Sequence, residues 1–162
     1  MLELILIRHP RTEANKGKII QGQIDTELEP EYENSVGQLA EELARQGAIS
    51  AFFSSDLQRA EIPARMIVDY LRKHQNVPLE YVSTPLLRER NWGELEGKKY
   101  EEAYQGNQDI LDWLFYLDNI ARGENFDAIS ERINRFKEEH LQRYKGRAGI
   151  IGHSYLLNYL RN

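Results

Sequence analysis

The sequence predicts an α/β fold in which a mainly parallel sheet carries helices on both faces. Two observations support this prediction: four short runs of aliphatic and aromatic residues have strand character, and amphipathic stretches lie between them. Strands that alternate with helices imply right-handed crossovers between parallel strands. The chain of 162 residues is expected to form one domain over residues 1–162.

The strands are predicted over Leu2–Ile7, Ile49–Phe53, Leu79–Val82 and Ala148–Ile151. Helices are predicted over Pro30–Gln46, Asp56–His74, Tyr100–Tyr104, Ile110–Ile120, Phe126–Tyr144 and Tyr155–Leu160. Gly47 is placed to end the first of these helices, and Asp56 to cap the second. Pro63 is expected to bend that second helix or to leave the carbonyl of Arg59 without a donor.

The composition excludes several classes of function. Lys and Arg number 21 against 26 Asp and Glu, so the net charge of −5 gives no overall field for nucleic acid or an anionic membrane. The absence of Cys excludes a thiolate nucleophile, disulfides and Cys-ligated metal centres. The apolar run at the start is too short to span a bilayer and has no signal-peptide cleavage region. A soluble, cytoplasmic protein is therefore expected.

Residues whose side chains can take part in catalysis or bind a ligand follow each predicted strand. Arg8 and His9 come after the first strand, Arg59 after the second, Glu89 after the third and His153 after the fourth. The carboxyl ends of parallel strands share one edge of a sheet, where ligands bind. These side chains are therefore expected to meet at that edge.

This set of side chains suits phosphoryl transfer. A neutral imidazole is a good nucleophile, so His9 is the predicted acceptor of a phosphoryl group. Arg8, Arg59 and His153 would bind the phosphate oxygens, with Asn15 as a neutral donor. Glu89 is placed to act as general acid and then as base. Two simpler roles remain open: Glu89 could form ion pairs with its neighbouring arginines, and Asn15 could cap a turn.

No metal site is predicted. His9 and Glu13 have the i, i+4 spacing of metal ligands on a helix, but they follow a strand, and Pro10 disfavours a helical conformation at His9.

The order of motifs resembles the histidine phosphatase superfamily, whose members are also called phosphoglycerate-mutase-like. The matching segments are Arg8-His9-Pro10, Thr12-Glu13-Ala14-Asn15, Gln21-Gly22, Ser54-Ser55-Asp56-Leu57-Gln58-Arg59-Ala60, Leu87-Arg88-Glu89 with Gly93 and Gly97, Gly123-Glu124-Asn125, and His153. The resemblance implies a three-layer α/β/α sandwich and a metal-independent reaction through phosphorylated His9. It also implies that Arg8, Asn15, Arg59 and His153 bind phosphate and that Glu89 is the proton donor, with no cofactor.

The sequence departs from the family pattern at Pro10 and Ser154, where the family usually has Gly, and at Pro63, which interrupts a family helix. Mutases of the family carry basic residues in a segment that covers the site, whereas residues 101–121 here contain no Lys or Arg. A phosphatase acting on a small phosphorylated substrate is therefore favoured. A phosphoglycerate-mutase-type enzyme and a non-catalytic phosphate-binding module remain alternatives. The substrate is left open, and a second copy of the chain could cover an edge of the sheet.

Overall fold

Four parallel strands form the sheet of this protein, which we describe from a computed structural model covering residues 1–104 and 122–161. The strands are β1 (Leu2–Arg8), β2 (Ala51–Ser55), β3 (Glu80–Thr84) and β4 (Gly146–Gly152). Their order across the sheet is β1-β4-β2-β3, so β4 lies between β1 and β2. Arg8 is paired with Gly152 at the end of the β1–β4 ladder. His9 and His153 therefore leave the sheet side by side.

The helices in the described residues are α1 (Glu13–Lys16), α2 (Tyr32–Gln46), α3 (Gln58–His74), α4 (Tyr100–Tyr104), α5 (Phe126–Phe136) and α6 (Ser154–Arg161). Short 3₁₀ turns cover Pro85–Leu87 and Gly93–Leu95, and a π-helical turn covers Lys137–Leu141. The predicted α/β class is confirmed, and so are most of the elements. The helix predicted over Ile110–Ile120 lies outside the described residues.

The two faces of the sheet carry separate hydrophobic cores. Phe52 and Ile151 belong to the core beneath α2 and α3, whereas Phe53 and Ile150 belong to the core beneath α5 and α6. Successive residues of a strand point to opposite faces, so an uninterrupted apolar run is what a sheet covered on both sides requires. The result is the expected three-layer α/β/α arrangement.

The predicted helix caps and bounds need corrections. Asp56 does not cap α3, because its carboxylate accepts two hydrogen bonds from Arg88, at 2.7 and 2.6 Å. The backbone N–H of Gln58, at the start of α3, donates instead to Oδ1 of Asp25 at 2.8 Å. Helix α3 runs through Pro63 without a break, and the prediction that Pro63 bends it or leaves the carbonyl of Arg59 without a donor stays a prediction. After Phe136 the last long helix changes to the π-helical turn.

The described helices include none long and apolar enough to cross a membrane.

Candidate active site

Two histidines meet at the carboxyl edge of the sheet, as their positions after neighbouring strands predict. The ring centroids of His9 and His153 are 5.1 Å apart, and the ring planes are inclined by 57°. His153 is 0% exposed and His9 is 7% exposed. The backbone N–H of His9 donates to the carbonyl of Gly152 at 3.0 Å, which ties the two loops together.

The imidazole of His9 is held in one tautomer. Its Nδ1 lies 2.7 Å from the carbonyl oxygen of Pro10. Because a carbonyl only accepts hydrogen bonds, Nδ1 must carry the hydrogen, and Nε2 keeps its lone pair. Burial lowers the pKa of His9 to about 4, and the charges of Arg59 and Arg8 also lower it, against the hydrogen bond to Pro10. At neutral pH the ring is therefore uncharged.

The imidazole of His153 is fully buried. Neither of its ring nitrogens has a hydrogen-bond partner among the described residues. Burial, followed by the positive charge of Arg59, lowers the pKa of His153 well below its usual value. A buried polar atom that lacks a partner costs free energy, and an oxyanion beside the ring would supply one.

Arg59 brings a buried guanidinium to the same place from the first turn of α3. It is 1% exposed, and it donates to the carbonyls of Ile24 and Gly22, each at 2.6 Å. Its Nε has no partner within residues 1–104 and 122–161. Burial lowers the pKa of Arg59, while the nearby carboxylates of Glu89, Asp25 and Glu96 raise it. The guanidinium is thus oriented by the backbone and still has a donor available for an anion.

Glu89 lies against the start of α6. One carboxylate oxygen accepts from the backbone N–H of Arg90 at 2.9 Å, and the other from that of Tyr155 at 3.3 Å. Burial raises the pKa of Glu89, although these amides and the charge of Arg59 act in the opposite direction. A carboxyl group with a raised pKa can hold a proton closer to neutral pH, as a general acid must.

The arginines on either side of Glu89 have partners elsewhere. Arg88 pairs with Asp56 at 2.6 Å. Arg90 stacks on the rings of Trp92 and Tyr155, with its guanidinium carbon 4.5 and 5.3 Å from the ring centroids. The Glu89 carboxyl is itself buried, which argues against a solvated ion-pair cluster, the simpler role considered for this residue.

Arg8 and Asn15, the other two predicted phosphate ligands, have different surroundings. Arg8 is exposed at the end of β1, and its charge contributes to the lowered pKa of both imidazoles. Asn15 forms a capping box: its Oδ1 accepts from the backbone N–H and the hydroxyl of Thr12, at 3.1 and 3.0 Å. The cap uses only the side-chain oxygen, so capping and donation from the amide nitrogen are compatible.

Sequence reasoning missed the residues that contact the backbone around Glu89. Gln23 donates from its side chain to the carbonyl of Glu89 at 3.1 Å. Glu124 and Arg132 form an ion pair that contacts the backbone on both sides of Glu89. Only the family resemblance of Gly123-Glu124-Asn125 pointed to Glu124, and no signal in the sequence pointed to Gln23 or Arg132.

Within the described ranges, no group of three or more His, Asp or Glu side chains is arranged to hold a metal ion.

Comparison with known proteins identifies the family. Residues 4–162 match the histidine phosphatase superfamily (branch 1). A metal-independent phosphoserine phosphatase of Arabidopsis thaliana is 31% identical over 98% of this chain and 68% of its own length. A 2,3-bisphosphoglycerate-dependent phosphoglycerate mutase of Bartonella henselae is 29% identical over 86% of this chain and 68% of its own. The alpha-ribazole phosphatase of Shigella flexneri superposes with a TM-score of 0.73, at 25% identity over 98% of this chain and 77% of that one.

The chain belongs to the histidine phosphatase superfamily, and the protein is a phosphatase.

Proposed function

We propose that the protein hydrolyses a small phosphomonoester through a covalent phosphohistidine on His9, without a metal ion. The observation that carries this proposal is the pair of buried imidazoles, whose ring centroids are 5.1 Å apart. One phosphoryl group can contact both rings at that separation, with His9 as nucleophile and His153 as hydrogen-bond donor.

In the first step, Nε2 of neutral His9 attacks the phosphorus atom, and the bond between phosphorus and the leaving oxygen breaks. Glu89 gives its proton to that oxygen, which departs as an alcohol. The direction of the pKa shifts supports both roles, since burial keeps His9 unprotonated and favours the protonated form of Glu89.

In the second step, water attacks the phosphorus of the phosphohistidine. The carboxylate of Glu89 takes a proton from this water, and the nitrogen–phosphorus bond breaks with its electron pair returning to Nε2. Inorganic phosphate, neutral His9 and protonated Glu89 result, which restores the starting state.

Negative charge on the transferring group needs fixed donors around it. Arg59 supports this role because two backbone carbonyls already orient its guanidinium. Arg8 adds a second positive charge, His153 an N–H donor and Asn15 a neutral amide donor. Prior orientation of Arg59 avoids reorganisation of that group during the reaction.

Rapid quenching during turnover of a radiolabelled phosphomonoester tests the proposal. The wild-type protein should carry acid-labile, alkali-stable phosphate, and the His9→Ala variant should carry none. His74→Ala is the matched control, because His74 stacks on Tyr70 at the end of α3 and its Nδ1 lies 2.8 Å from the carbonyl of Tyr70. Labelling of the His9→Ala variant at the wild-type level would refute the assignment.

A mutase is the second candidate, because a phosphoglycerate mutase is among the relatives. The composition of residues 101–121, which contain no Lys or Arg, favours the phosphatase. The two activities separate in one assay, since a phosphatase releases inorganic phosphate from phosphoglycerate whereas a mutase isomerises it and releases little.

A phosphate-binding module without turnover is a third candidate, suggested by Pro10 and Ser154. It would bind vanadate but hydrolyse neither p-nitrophenyl phosphate nor the substrates that the relatives' names suggest, phosphoserine and alpha-ribazole phosphate.

A further inference from the structure

The partly buried ion pair of Glu124 and Arg132 has no part in the reaction steps given above. Arg132, on α5, donates from Nε and Nη2 to the two carboxylate oxygens of Glu124, both at 2.8 Å. Their side chains are 14% and 19% exposed. A pair that is this shielded and has two parallel hydrogen bonds holds a fixed geometry, unlike an exposed pair.

This ion pair forms hydrogen bonds to the backbone both before and after Glu89 in the sequence. Before Glu89, Nη1 of Arg132 donates to the carbonyls of Leu86 and Arg88, each at 2.8 Å. After Glu89, the carboxylate of Glu124 accepts from the backbone N–H of Asn91 at 2.8 Å. The N–H of Glu124 also donates to the carbonyl of Asn91 at 2.8 Å.

Gly123 allows the two backbones to come this close. A Cβ atom at Gly123 would lie 2.3 Å from the carbonyl oxygen of Asn91 and 3.0 Å from the backbone carbon of Trp92. Both are main-chain atoms, which cannot rotate away. A side chain at this position would therefore push the Glu124 segment away from the Glu89 segment.

We propose that Glu124 is a positioning residue for Glu89. Glu124 and Arg132, with their hydrogen bonds to the backbone before and after Glu89, form a clamp that keeps the Glu89 carboxyl against the start of α6. This inference rests on the proposed role of Glu89 as proton donor. Proton transfer depends on hydrogen-bond distance, so a small displacement of the Glu89 backbone weakens acid catalysis. The phosphate-binding side chains lie on other segments. Among them, His153 is close enough to Arg132 for that positive charge to contribute to its lowered pKa, and Arg132→Lys retains the charge.

A comparison of leaving groups separates positioning from a general structural role. An alkyl phosphate needs a proton on its leaving oxygen, whereas p-nitrophenyl phosphate releases a stable anion that does not. Because Glu89 also acts as base in the second step, which both substrates share, the comparison uses kcat/KM, which reports only the first step. Glu124→Ala should lower kcat/KM for the alkyl ester by roughly tenfold or more, a part of the 10²–10⁴ that general acid catalysis supplies. Its kcat/KM for p-nitrophenyl phosphate, and the inhibition constant of inorganic phosphate, should change by less than about threefold.

Three further variants make the test decisive. Glu124→Gln keeps an oxygen for the N–H of Asn91 and should restore most of the alkyl-ester activity. Arg132→Lys cannot serve both carbonyls and both carboxylate oxygens, and it should reproduce the selective loss even if Glu124→Ala does not fold. In the double variant, Glu89→Gln with Glu124→Ala should lose no more than Glu89→Gln alone.

The control is a second arginine–glutamate pair that also contacts the backbone, at the amino ends of β1 and β4, although its glutamate is 64% exposed. Arg147 lies 3.4 Å from the carboxylate of Glu3 and donates to the carbonyl of Gly47 at 2.8 Å. Glu3→Ala and Arg147→Lys should leave the ratio of alkyl to p-nitrophenyl activity unchanged.

Two results would overturn the inference. An equal fall in kcat/KM on both substrates would mean that Glu124 supports the fold in general, and additive losses in the double variant would mean that it acts independently of Glu89. If Glu89→Gln itself shows no dependence on the leaving group, the acid role of Glu89 fails, which is a failure of the proposed function rather than of the clamp.

Discussion

Acidification should destabilise this protein more than its His9→Asn variant. The native pKa of His9 is about 4, against 6.5 for the exposed side chain, a difference of about 2.5 pH units. Between these two values the unfolded chain binds more protons than the native protein, so the free energy of unfolding falls as the pH falls. At 1.36 kcal/mol per unit, His9 alone should contribute a loss of roughly 3 kcal/mol between pH 7 and pH 4.

The variant is chosen to remove the titration and little else. The amide of an asparagine can still donate to the carbonyl of Pro10, as Nδ1 of His9 does at 2.7 Å. His153 has a pKa lowered in the same direction, but burial and Arg59, the larger causes of that shift, are present in both proteins.

Urea unfolding in phosphate-free buffer at several pH values between 7 and 4 measures the effect. For a protein of this size, roughly 3 kcal/mol corresponds to about 6–12 °C in the melting temperature. Saturating phosphate should reduce the loss in the wild-type protein, because an anion beside the imidazole raises its pKa. Equal acid-induced losses in the two proteins would refute the burial argument.

Three other outcomes are expected. Replacing Arg59 with Ala should lower kcat by about 10²–10³ if it contacts the transferring group, and wild-type turnover would remove it from the site. Gly22→Ala should lower the free energy of unfolding by about 1–3 kcal/mol in urea titrations, because Gly22 has φ of +50° and an added Cβ would lie 2.0 Å from Oε1 of Glu96. The value of kcat/KM should fall as the pH rises through the raised pKa of Glu89, because the general acid loses its proton. Glu89→Gln should abolish this decrease. An unchanged decrease in the variant would assign the titration to another group.

The sequence predicted the edge of the sheet where the site lies because the site residues occupy simple positions in the pattern. His9 and His153 each follow an apolar run, and parallel strands bring such positions together. That prediction needs only the order and type of the elements, which hydrophobic periodicity supplies.

The electrostatic behaviour of Glu89 could not be predicted in the same way. From the sequence, Arg88 and Arg90 should stabilise its charged form. In the fold, Arg88 turns to Asp56 and Arg90 to two aromatic rings, so burial decides the direction of the pKa shift. Side-chain direction depends on tertiary contacts that local pattern does not encode.

The clamp around Glu89 was also beyond sequence reasoning. Glu124 contacts the amide of Asn91, 33 residues earlier, and no periodicity links such positions. The wrong N-cap at Asp56 has the same origin, because a distant arginine competes for a carboxylate that local propensity assigns to the helix.

The position of β4 has a consequence for how the protein reaches its native state. This strand comes last of the four along the chain, yet it occupies an interior place between β1 and β2. The ribosome therefore releases β1 and β2 before the strand that joins them exists, and their facing edges stay unpaired until β4 is inserted. Such pairing between distant segments is slow and leaves strand edges open to misassembly. Catalytic competence should accordingly arise in one late event, when that insertion brings His153 beside His9.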